Sequence, residues 1–123
     1  MFRHSLYTVD GKQSTSGQII ASFTLNGDHP LFEGHFPGSP ILPGVCSLQI
    51  SKEILEDEID LKLTLETINN QKFLNIISPH AVGSLELEIV FEQMANRSIK
   101  LKAFIRDSHK DYYKFSGSYK IAE

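Results

Sequence analysis

Ile19, Ala21, Phe23 and Leu25 alternate with Ile20, Ser22, Thr24 and Asn26. A period of two puts the first set on a dry face and the second on a wetter one, which predicts a β-strand. Three later stretches repeat the pattern: Leu85, Leu87, Ile89 and Phe91; Ile99, Leu101, Ala103 and Ile105; Tyr113, Phe115, Tyr119 and Ile121. Leu61, Leu63 and Leu65 predict a shorter strand, and a run from Phe73 to Ile77 another. The segments between them, Pro79 to Gly83, Ala95 to Arg97 and Asp107 to Asp111, are rich in turn formers. Links this short make successive strands antiparallel neighbours.

One stretch breaks the pattern. From Gly44 to about Glu58 nothing interrupts a helix, and Val45, Leu48, Leu55 and Ile59 recur at helical spacing around Lys52. That stripe is expected to face inward. Five acids between Glu53 and Asp60 have the wrong sign for a helix C-terminus, so this end is expected to be solvated. The simplest architecture is α+β, one long antiparallel sheet curled around one helix.

Composition narrows the picture. A chain of 123 residues, 41% hydrophobic and 22% charged, suits one folded domain over 1–123. The lone cysteine, Cys46, excludes an internal disulfide framework and a zinc site of several thiolates, and favours a reducing compartment. The N-terminal stretch lacks a signal-like apolar run, and no segment approaches the ~18 apolar residues of a membrane span, so a cytoplasmic protein with no membrane partner is expected.

A net charge of −3 argues against nucleic-acid binding, but the total hides an asymmetry. Residues 1–60 carry three Lys/Arg against eight Asp/Glu, and residues 61–123 nine against seven. Lys100, Lys102 and Arg106 share one parity of a predicted strand and offer a landing surface for an acidic partner. The favoured reading is plainer: with a hairpin loop at 95–97, Glu92 faces Lys100 and Glu86 faces Arg106 as cross-strand pairs.

Four of the five prolines fall between Pro30 and Pro43, where fixed φ angles and missing donors preclude both helix and ladder. The apolar content of this loop argues for order. The segment His29 to Gln49 reads HPLFEGHFPGSPILPGVCSLQ. It resembles the hotdog-fold 3-hydroxyacyl-[acyl-carrier-protein] dehydratases, whose GHFPxxPxxPGV loop runs into the central helix. The match rests on Gly34, His35, Phe36, Pro37, Gly38, Pro40, Pro43, Gly44 and Val45.

The resemblance implies a hotdog fold, a dimer with the site at its interface, and dehydration of a 3-hydroxyacyl thioester to the trans-2-enoyl thioester, in fatty-acid or related polyene and lipid biosynthesis. The acyl chain rides on acyl carrier protein or coenzyme A, and no cofactor or metal is implied. His35 matches the base that removes the α-proton, and imidazole titrates in the right range to take a proton and return it. Gly44 matches the backbone N–H donor to the thioester carbonyl, at the positive end of the helix. Phe32, Phe36, Pro43 and Val45 are the candidate acyl contacts; for Phe32 and Phe36, as for Leu42, anchoring the loop is the alternative.

One departure stands out. The family's second catalytic residue, a Glu or Asp fourteen positions after the histidine, is Gln49 here. An amide has no titratable proton to give a leaving hydroxyl, and such a partner supplies about 10²–10⁴ in rate. Lys52 and Glu53 stand where small and amide residues are common in the family. Either His35 performs both proton steps while Gln49 orients the hydroxyl, or the chain is a non-catalytic acyl-thioester-binding subunit, or it pairs with an acid-bearing paralogue. A thioesterase ranks third, since hotdog thioesterases usually need a helix carboxylate.

Other candidates are weaker. Cys46 near the helix start is expected to pack in the core. His29, Glu33 and His35 lack the spacing of a zinc site, and His4, His80 and His109 have no partner motif.

Overall fold

The computed structural model describes residues 2–33 and 40–122. In chain order it has β1 (Tyr7–Thr15), β2 (Gln18–Leu25), a 3₁₀ turn (Pro30–Phe32), α1 (Gly44–Ile59), β3 (Leu63–Phe73), β4 (Leu85–Met94), β5 (Ser98–Arg106) and β6 (Asp111–Ile121). The six strands form one sheet in the order β1-β2-β4-β5-β6-β3, antiparallel throughout. Its inner face supplies Ile19, Ala21, Phe23, Leu85, Leu87, Ile89, Leu101, Ala103 and Ile105 to one core with α1, as the alternation predicts.

The β4–β5 hairpin has the expected register. Its loop is Ala95 to Arg97, Glu92 is opposite Lys100 and Glu86 opposite Arg106. Arg106 binds Glu86 and Glu88, each at 2.8 Å, so this cation is a cross-strand partner rather than part of a free basic surface. Such half-exposed pairs contribute ~0–1 kcal/mol each.

Five features differ from expectation. The 79–83 link does not join neighbouring strands, since β3 pairs with β6 and β4 with β2. The inward face of α1 is Cys46, Ile50, Ile54 and Leu55 with Ser47, Ser51 and Glu53; Val45 is 71% exposed, and Leu48 and Ile59 are half-buried. The i+4 row Cys46–Ile50–Ile54 sets the phase, and buried serines beside it disguise the stripe. Ser51 satisfies its hydroxyl on the Ser47 carbonyl at 2.8 Å.

The acidic end of α1 is not solvated as a whole. Glu53 is fully buried, Arg3 binds Asp57 at 2.8 Å and Glu56 at 3.0 Å, Lys12 binds Glu58 at 2.9 Å, and Glu56 accepts the Leu63 N–H at 2.8 Å. The N-terminal segment and β1 thus supply cations to three of the five acids.

β1 itself is unforeseen because only Tyr7 of its nine residues is buried. Finally, β3 continues unbroken to Phe73, while 74–77 is not a strand; there the Leu74 N–H bonds the Tyr112 carbonyl and the Ile77 carbonyl accepts from Leu42.

β3 bends at two register shifts, Leu65/Thr67 and Ile68/Asn70, and crosses β6 closely at Gly117. A Cβ there would lie 2.1 Å from the Thr67 carbonyl oxygen, a backbone atom with no rotamer to yield. Gly117→Ala is therefore expected to cost about 1–3 kcal/mol or more by overpacking, read as a drop in thermal midpoint. An unchanged midpoint would show that β3 does not hold this approach.

Candidate active site

Pro43 caps α1 with extended backbone and no side-chain hydrogen bond, and Gly44 is the first helical residue. First-turn N–H groups have no intrahelical acceptor, so this end carries donors and partial positive charge. The segment entering it is pinned where the Leu42 N–H meets the Ile77 carbonyl at 2.8 Å. Beside Gly44 lies a cavity of about 370 Å³ lined by Ile41, Leu42, Phe73, Ile76 and Tyr112 among others. A Cβ on Gly44 would come within 2.4 Å of the Phe73 ring, so glycine lets that ring lie against the helix start.

The candidate acyl contacts divide. Phe32 is buried in the core, in a 3₁₀ turn whose Leu31 N–H is held by His29 Nδ1 at 3.0 Å. Pro43 is half-buried and Val45 exposed, both at the cavity end of α1. His35 and Phe36 lie outside the described residues. Cys46 is buried, and burial pushes its thiol pKa up, the opposite of activation. Among the described residues no group of three or more His, Cys, Asp or Glu gathers as a metal site.

Gln49 is half-buried on α1, and its Nε2 donates to Glu53 Oε2 at 2.9 Å. Four residues is just over one turn, so the Glu53 backbone sits about 6 Å further along the axis and the two side chains meet over that turn. Glu53 also accepts the Phe2 N–H at 2.9 and 3.2 Å and the Tyr7 hydroxyl at 3.1 Å. Burial pushes the Glu53 pKa upward, but the hydrogen bonds the carboxylate accepts, that from Gln49 foremost, hold it below the usual carboxylate range. Burial and the neighbouring Glu53 raise the Tyr7 phenol far above its ordinary value. This cluster is not evident in the sequence, because Phe2 and Tyr7 lie 51 and 46 residues from Glu53.

A second cavity, about 200 Å³, is lined by Arg3, Tyr7, Lys12, Ile54 and Asp57. Both cations are engaged there, Arg3 by Glu56 and Asp57 and Lys12 by Glu58.

A curled sheet around one helix defines a hotdog protein. A chain of the dehydratase heterocomplex ApeI:P from Xenorhabdus doucetiae matches with a TM-score of 0.71, covering 94% of this chain and 97% of that one at 18% identity. A thioesterase from Staphylococcus aureus matches at 0.63, covering 95% and 93% at 10% identity. At such identities the likeness is one of fold. The family model for ApeI-like proteins, described as ApeI dehydratase, matches residues 11–115. The chain belongs to this ApeI-like dehydratase family.

Among curated proteins it is 30% identical over 95 residues to the 3-hydroxyacyl-[acyl-carrier-protein] dehydratase FabZ of Ruminiclostridium cellulolyticum, covering 72% of this chain and 67% of that protein. It is 28% identical over 95 residues to the same enzyme of Geotalea uraniireducens, covering 70% and 64%. No helix among the described residues is long and apolar enough to cross a membrane.

Proposed function

We propose that this chain catalyses the reversible dehydration of a 3-hydroxyacyl thioester, carried by acyl carrier protein or coenzyme A in a reducing cytoplasm. The reading is carried by one juxtaposition: the segment bearing the dehydratase motif runs into a helix start that adjoins an apolar cavity, with Gln49 little more than one turn further on. His35 takes the C2 proton, and the electron pair becomes the C2=C3 bond as the C3–O bond breaks. The departing hydroxide takes the proton back from the imidazolium and leaves as water. The Gly44 N–H stabilises the enolate-like thioester oxygen in between. Hydration of a crotonyl thioester, followed by loss of the conjugated enoyl absorbance, is the test; no turnover on either carrier would count against catalysis.

A second reading has its own support. Gln49 supplies no proton, and a solved structural neighbour is a chain of a dehydratase heterocomplex. In this reading the chain pairs with an acid-bearing paralogue. Both readings need a partner subunit along β3, an edge strand where Leu65, Ile68 and Phe73 are 40–58% exposed in the isolated chain. Ile68→Lys is expected to shift the sedimenting species from dimer towards monomer at micromolar concentration. A dimer that persists would place the interface elsewhere.

A further inference from the structure

We propose that Glu53 is the positioning residue for Gln49: by holding the amide nitrogen, it turns the side-chain oxygen of Gln49 towards the substrate's 3-hydroxyl. This rests on the dehydratase reading above. An ionised carboxylate only accepts hydrogen bonds, whereas a glutamine amide has a donating and an accepting end. With Nε2 held 2.9 Å from Glu53 Oε2, the amide cannot flip without setting its own oxygen against a buried negative charge. Among the described residues the carboxylate is held from three parts of the chain: Gln49 on the helix, the Phe2 N–H before β1, and the Tyr7 hydroxyl at the start of β1.

The consequence is chemical. A 3-hydroxyl that donates to Gln49 Oε1 is oriented but not protonated, so its proton as leaving group comes from His35. Glu53 is not the missing acid, since it is fully buried and its lone pairs are occupied by donors. Its position one turn beyond the substrate-facing residue makes it a lock on the amide's orientation.

The test uses the full chain in its native assembly. In Glu53→Gln the kcat for crotonyl-thioester hydration is expected to fall about tenfold with KM within about twofold, the scale of one misplaced hydrogen bond. Ser51→Ala removes a buried hydrogen bond on the same helix that touches neither Gln49 nor Glu53; it is expected to lower the melting temperature while kcat stays within about twofold. An unchanged kcat in folded Glu53→Gln, or an equal kcat loss in Ser51→Ala, overturns the proposal.

The readout that needs no turnover is the side-chain amide resonance of Gln49 in the ¹⁵N-labelled chain, assigned by its disappearance in Gln49→Met. The wild-type protein is expected to show shifted, slowly exchanging amide protons, and Glu53→Gln to change them. Free-glutamine shifts and exchange in the wild type overturn the lock whether or not any variant folds. Absence of turnover with a protected amide sinks the dehydratase reading and leaves the contact itself standing.

Discussion

His35→Ala is expected to remove crotonyl-thioester hydration by at least about 10²–10⁴-fold, the range a positioned acid-base group supplies. The size of the loss follows from the scarcity of other titratable groups on α1 near Gly44. Gln49 has no exchangeable acid function, Glu53 is buried and saturated with hydrogen bonds, and the acids from Glu56 to Glu58 are paired at the other end of the helix. Both proton steps then fall to one imidazole. The rate of the natural chain is expected to follow deprotonation of one histidine and to show no second limb. A bell-shaped profile would reveal an acid on a partner subunit, and hydration retained by a folded His35→Ala would assign the base elsewhere.

What the sequence discloses depends on whether a residue's role is local. The β4–β5 register is legible because a three-residue turn and two alternations fix it, down to the Glu86–Arg106 pair. The helix is legible in extent, ending at Ile59 rather than about Glu58, but not in phase. Buried serines at Ser47 and Ser51 carry no hydrophobic signal, while exposed Val45 carries a false one. β1 and β3 are edge strands, so neither shows a clean alternation.

The candidate site divides in the same way. The candidates Gln49 and Gly44 come from a contiguous motif that runs along one loop into one helix. Glu53 reads as one more solvated acid, since its burial depends on an N-terminal segment some fifty residues away. A buried carboxylate beside an amide was visible only as a departure from the family's small and amide residues, with no indication of what it holds.

That pairing sets the expectation for restoring an acid at position 49. Gln49→Glu alone would place a second carboxyl group one turn from Glu53, where a 2.9 Å hydrogen bond now runs. Two carboxylates this close do not both ionise; they share one proton, which is then held between them rather than offered to a leaving hydroxyl. The single variant is expected to melt lower than the natural chain and to gain little activity. Combining Gln49→Glu with Glu53→Gln exchanges the two groups: the amide now behind the new carboxyl donates to it and still offers an oxygen to the Phe2 N–H and the Tyr7 hydroxyl. The double variant is expected to hydrate crotonyl thioester about 10–10³ times faster than the natural chain, within the range general acid catalysis supplies. It is also expected to exceed the single variant by about tenfold, the worth of one well-placed hydrogen bond. All three are compared at equal subunit concentration, with melting curves to establish folding. If the folded double variant gains nothing, the apolar slot does not accept substrate productively and the heteromer reading takes precedence. If the single variant matches the double, Glu53 does not reach position 49 in solution.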